Sequence, residues 1–100
     1  MAGKMENTQS YSGLFIINPE MLESVEDVTG KIKAIINDNS GEVVEENVMG
    51  KKALSYPISK KSEGIYYEIV FNAKSESIVN IMRQCNINTN IMRTLIDKKK

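Results

Sequence analysis

Residues 41–71 read GEVVEENVMGKKALSYPISKKSEGIYYEIVF, and this stretch decides the fold. Its first part places Val43, Val44 and Val48 among acids, then stays extended through Ala53, Leu54, Tyr56 and Ile58. Gly50 marks a bulge or bend, and Pro57 demands an edge position or a strand end, because proline has no N–H to give to a neighbouring strand. Ser59-Lys60-Lys61-Ser62-Glu63-Gly64 is a polar turn. After it Ile65, Tyr67, Ile69 and Phe71 alternate with Tyr66, Glu68, Val70 and Asn72. A period of two gives a strand with one dry face. The two segments form a long hairpin.

Working outward, Ser12-Gly13-Leu14-Phe15-Ile16-Ile17 is a short apolar block that suits a central strand buried on both faces. Asn18-Pro19-Glu20 then opens a helix, with Asn as N-cap, Pro in the first turn and Glu complementing the helix dipole. Leu22, Val25, Val28, Ile32, Ile35 and Ile36 recur at helical spacing until Asn39-Ser40-Gly41 stops the pattern. Beyond the hairpin, Ser75 caps a second helix carrying Ile78, Ile81, Met82 and Cys85 on one stripe. Asn86, Asn88 and Asn90 end it, and Ile91 to Ile96 forms a last strand.

The element order is β-α-β-β-α-β. The expected fold is α+β and ferredoxin-like: a four-stranded antiparallel sheet with two helices on one face. The other sheet face is left open. Residues 1–10 read as a flexible polar extension, 11–97 as a single domain and 98–100 as a basic tail.

The absences exclude more than the composition includes. The chain has 100 residues, no His and one Cys. It therefore lacks the commonest near-neutral acid/base, any Ser-His-Asp or Cys-His pairing, an internal disulfide and a thiolate zinc site. Cys85 lies on an apolar stripe and reads as a small hydrophobe. Glu26/Asp27 and Glu45/Glu46 match no metal-binding loop, and no glycine-rich phosphate loop occurs. A phosphatase of this fold needs an Arg in the loop after the first strand. Asn18-Pro19-Glu20 stands there, and no Arg precedes Arg83. No apolar run approaches a membrane span, and the N-terminus lacks the apolar core of a secretory signal. The expectation is a cytoplasmic, non-enzymatic protein without catalytic residues, cofactor, metal or small-molecule substrate.

The 13 cations and 13 acids cancel overall. Three lysines against nine acids give −6 for residues 1–50, whereas ten cations against four acids give +6 for residues 51–100. Gly50 to Lys61 holds four Lys, no acid and Tyr56. Lys neutralises phosphate and an aromatic ring can stack on an unpaired base, which points to RNA. Lys and Pro also protect an edge strand from aggregation, and that composition alone fits either role. A small-ligand regulatory domain or a homo-oligomerising module is the alternative of another class.

The same residues resemble the bacterial small-subunit ribosomal protein six family. Tyr11 leads an apolar strand ending in Asn18-Pro19, and Gly41 precedes the acidic second strand. Gly50-Lys51-Lys52-Ala53-Leu54-Ser55-Tyr56-Pro57-Ile58 is similar to that family's basic-Tyr-Pro-Ile signature. Lys60, Gly64-Ile65-Tyr66-Tyr67 and Asn90-Ile91-Met92-Arg93-Thr94-Leu95-Ile96 fit as well, so the resemblance spans about residues 11–99. It implies a structural role: binding the central domain of small-subunit rRNA jointly with ribosomal protein eighteen. The residues expected at the rRNA are Lys51, Lys52, Tyr56, Lys60, Lys61 and Arg93. Those expected at the protein partner are Val44, Val48, Leu54 and Tyr56, on the edge strand and the exposed sheet face. Lys51 and Lys52 stand where the family often has Arg, so they bring charge without the planar two-pronged fork.

Overall fold

β-branched and aromatic residues at alternate positions make the strands, and apolar stripes at helical spacing make the helices that cover them. The computed structural model describes residues 8–58 and 60–99. Its elements are β1 (Thr8–Ile17), a 3-10 turn (Pro19–Ser24), α1 (Val25–Asp38), β2 (Glu42–Ile58), β3 (Lys61–Lys74), α2 (Ser75–Ile87) and β4 (Ile91–Lys98). The sheet order is β2-β3-β1-β4, with every neighbouring pair antiparallel. This is the ferredoxin-like arrangement expected from the element order.

Phe15 and Ile17 of β1 and Ile65, Tyr67, Ile69 and Phe71 of β3 are buried with Val28, Ile32 and Ile36 of α1 and Ile81 and Cys85 of α2. These strand residues share one parity, so both helices lie on one face of the sheet. Tyr11 stacks on Phe71 with ring centroids 5.8 Å apart, and Phe15 lies tilted against Tyr67 at 6.1 Å. The centre of the core is thus aromatic. β1 is central, and Phe15, Ile16 and Ile17 are all buried, although Ile16 points away from the helices.

The structure departs from the sequence reading at several ends. The first helix does not begin at Pro19. Asn18 does accept a hydrogen bond from the Glu20 N–H at 3.0 Å, but Met21 N–H bonds Asn18 C=O in a tighter i to i+3 turn. The α-helix starts six residues later, and the turn leaves Leu22 exposed. Ser75 is not the cap of α2. Strand pairing continues to Lys74, opposite Thr8, so the chain passes from strand to helix without a loop. β1 likewise begins at Thr8, within the expected extension, where Ser10 Oγ donates to Asn72 Oδ1 at 3.0 Å. Residues 1–7, Ser59 and Lys100 lie outside the described residues.

β2 is an edge strand with Pro57 next to its end, and it slips register against β3 between Val43 and Glu45, between Val48 and Gly50 and again between Ala53 and Ile58. Gly50 sits at the second bulge with φ +87°, a left-handed conformation that glycine adopts freely. Each bulge exchanges the two faces of the strand. β1 ends at Ile17, opposite Ile65 of β3, so the basic tip of the β2–β3 hairpin runs on past the end of the central strand.

Candidate nucleic-acid and partner interface

Cross-strand register decides which of the basic residues can act together, because residues directly opposite project to the same side. Lys51 pairs with core-facing Ile65, and Lys52 pairs with Gly64 on the open side. The adjacent lysines therefore point to opposite faces. On the helix side, Lys51 Nζ lies 3.9 Å from Glu63 and Lys61 Nζ donates to Glu20 Oε2 at 2.6 Å. That bond holds the Glu20 carboxyl below the usual carboxylate range. Lys51 and Lys61 belong to a mixed-charge cluster rather than a bare basic patch.

Lys52 is exposed on the open face and joins none of the ion pairs among the described residues. Arg93 of β4 stands opposite Ile16 of β1, which stands opposite Tyr66 of β3, which stands opposite Gly50 of β2. One row thus crosses the whole sheet, with Arg93 at its far edge and Lys52 one step beyond its near edge. Three strand spacings, roughly 14 Å, separate the strands that carry the two cations. Tyr66 lies between them, partly exposed and facing a glycine rather than a side chain. Sequence reading passed over Tyr66, although strict alternation with buried Tyr67 places it on the open side.

The backbone is drawn close here for a reason. A Cβ on Gly64 would lie 2.5 Å from Ile16 Cγ2, so Ile16, 5% exposed, packs directly on the glycine backbone with Met92 and Leu54 nearby. Lys60, at φ 67°, makes the hairpin turn, and Tyr56 is 63% exposed near its tip. The four residues expected at a protein partner are not brought onto one face. Val48 opposes Tyr67 and so faces the helix side, Val44 is the extra residue of a bulge, and Leu54 lies on the open side near Gly64.

One polar group on the helix side escaped sequence reading. The first bulge turns Glu46 toward α1. There it accepts a hydrogen bond from Tyr67 Oη at 2.8 Å and another from Lys33 Nζ at 3.0 Å. These bonds hold the Glu46 carboxyl below its ordinary range, and burial followed by the Glu46 contact pushes the Tyr67 phenol up. A depressed carboxylate pKa contributes stability above its unfolded value, and that contribution is lost as pH falls through the folded value. We expect Tyr67→Phe to cost about 1–2 kcal/mol at pH 7, toward the low end for a hydrogen bond to a charged group because the Glu46 carboxylate is partly exposed to solvent. The difference from the parent chain should shrink below pH 4, as urea denaturation at both pH values would read. An equal cost at the two pH values would contradict the role given to Glu46.

Nothing in this geometry is catalytic. Burial pushes the Cys85 thiol up to about 11, which keeps it protonated and inert. No metal-binding group of three or more His, Cys, Asp or Glu occurs among the described residues, and no described helix is long and apolar enough to cross a membrane. The surface is that of a ferredoxin-like binding module. It presents an uncovered sheet face beside a basic hairpin.

Comparison with known proteins narrows that class. The family model for ribosomal protein S6 matches residues 10–98. The small ribosomal subunit protein bS6 of Pseudarthrobacter chlorophenolicus is 38% identical over 89 residues, 88% of each chain. That of Corynebacterium jeikeium is 35% identical over 92 residues, 91% of this chain and 97% of its own. The crystal structure of 30S ribosomal protein S6 from Thermotoga maritima superposes with a TM-score of 0.86 over 92% of this chain and 88% of that one, at 24% identity. The C-terminal domain of MgtC from Mycobacterium tuberculosis superposes with a TM-score of 0.59 over 94% and 90%, at 8% identity, and shares the fold alone. The chain belongs to the ribosomal protein S6 family. It is a structural protein of the small ribosomal subunit and not an enzyme.

Proposed function

We propose that this protein binds small-subunit rRNA together with ribosomal protein eighteen during assembly of the subunit in the cytoplasm. The observation that carries the RNA half of this reading is the placement of Lys52 and Arg93, outside the ion pairs among the described residues, on one uncovered sheet face with Tyr66 between them. Two cations hold phosphate, and the ring offers a stacking surface to an unpaired base. Lys51, Lys60, Lys61 and Tyr56, along the hairpin, extend the contact. Lys51 and Lys61 do so by exchanging Glu63 and Glu20 for phosphate. Val44, Val48 and Leu54 on the edge strand, with Tyr56, are assigned to the partner protein.

A chain of zero net charge cannot hold RNA by charge alone, so the partner supplies the remaining affinity. Two phosphate contacts give a salt slope near −1.5, or roughly a tenfold loss between 50 and 200 mM salt. Filter binding to a central-domain rRNA fragment tests the reading. The isolated chain should bind weakly with that shallow slope, and ribosomal protein eighteen should tighten binding at least tenfold. Equally tight binding with and without the second protein would contradict the division of labour.

A further inference from the structure

The two edges of the sheet differ in how they resist pairing with another strand. β2, at one edge, carries Pro57, bulges, Lys51 and Lys52, all of which blunt an edge. β4, at the other edge, pairs with β1 alone. From Arg93 to Lys98 it runs in regular register, with no bulge and no proline. Residues 93–97 read Arg-Thr-Leu-Ile-Asp. Arg93, Leu95 and Asp97 stand opposite Ile16, Leu14 and Ser12, so all three project to the open side, and all three are exposed. Arg93 and Asp97 join none of the ion pairs among the described residues.

We infer that two copies of this chain pair antiparallel through β4, about a two-fold axis at Leu95, to make one continuous eight-stranded sheet. An antiparallel second copy reverses the order of the charges. Arg93 of each copy then faces Asp97 of the other, and Leu95 meets its own equivalent. Leu14 lies beside each Leu95, so four leucines form one row across the joint. Neighbouring registers do worse. An axis at Thr94 sets Arg93 opposite Leu95, one at Ile96 sets it opposite Lys99, and one at Arg93 stacks that residue on its own equivalent. An axis between residues would set open-face side chains opposite core-facing ones. The axis at Leu95 satisfies both charges and keeps apolar against apolar. A second copy is the favoured occupant because the charge order along β4 is its own complement.

Pairing along so short an edge buries less than the roughly 1,200 Å² of a standard interface, so the dimer is weak, with Kd on the order of 100 μM. It occupies Arg93, which the functional reading above assigns to phosphate, and so belongs to the RNA-free chain. Sedimentation equilibrium of the full chain without RNA, at about 10 μM to 1 mM, should show a monomer–dimer equilibrium. Arg93→Asp alone and Asp97→Arg alone should each weaken it on the order of tenfold or more, because each sets like charges face to face. An equimolar mixture of these two variants should dimerise again, since every facing pair is then opposite in charge. Circular dichroism checks that both variants keep the fold. Leu95→Cys should cross-link to its own equivalent under mild oxidation and Thr94→Cys should not, while the buried Cys85 stays out of the reaction. A parent chain monomeric across the whole range, folded variants whose mixture fails to associate, or cross-linking at Thr94→Cys in place of Leu95→Cys would overturn the inference. None of these results touches the RNA reading, which is tested separately.

Discussion

Phe15→Ala should lower the free energy of unfolding by about 3–5 kcal/mol, the range for deleting a buried aromatic ring. Phe15 is fully buried at the centre of the sheet, tilted against Tyr67 and covered by the helices. β1 pairs with strands on both sides, so its backbone cannot shift inward to close the gap. The cavity therefore persists, and its cost adds to the forfeited transfer free energy. A domain of this size is stable by about 5–15 kcal/mol, so this one substitution removes a large share of the margin. At about 4–8 °C per kcal/mol, the midpoint of thermal unfolding should fall by at least 12 °C. Chemical denaturation of the two proteins side by side measures it, and a loss below 1 kcal/mol would show that the aromatic centre does not hold the domain together. Phe15→Leu, which fills most of the volume, should cost distinctly less.

The second large effect is on RNA. Reversing both cations of the open face, Lys52→Glu with Arg93→Glu, should weaken binding of the two-protein complex to the central-domain rRNA fragment on the order of a hundredfold at low salt. It should also reduce the salt slope by about 1.5, the share of the two phosphates no longer neutralised. Both residues are exposed and join none of the ion pairs among the described residues, so neither change deprives the fold of one of these pairs. Lys51→Glu is the informative comparison, because Lys51 projects to the helix side and already faces Glu63. It should weaken binding less than either open-face reversal. Equal effects at Lys51 and Lys52 would show that charge along the hairpin matters and face does not.

Much of this was legible in the sequence for physical reasons. Strict alternation from Ile65 to Phe71 fixed the dry face of β3, and the short apolar block at residues 12–17 suited the central strand it forms, although Ser12 and Leu14 are only half-buried on the open face rather than buried on both. Pro57 asked for an edge position or a strand end, and it lies next to the end of the edge strand β2. The face assignments along β2 were not legible. Two bulges re-phase that strand, and a slip of one residue moves a side chain to the other side of the sheet. That is why Lys51 and Lys52, adjacent in one signature, separate in space, and why Glu46 rather than Glu45 meets Tyr67. The start of α1 was hidden for a related reason. Asn18 caps a 3-10 turn with the same chemistry that caps an α-helix, and composition does not distinguish the two. Tyr66 was visible as an alternating polar-side residue. Its meaning depended on what β1 and β4 placed beside it, and that required the register of three strands.

This chain works as part of the small ribosomal subunit. Sedimentation of a tagged copy from its native cells through a sucrose gradient at low Mg²⁺, with the fractions probed across both subunits, tests it most directly. Co-migration with the small subunit that survives a moderate salt wash is the expected result. Protein found only in the light soluble fractions would contradict it.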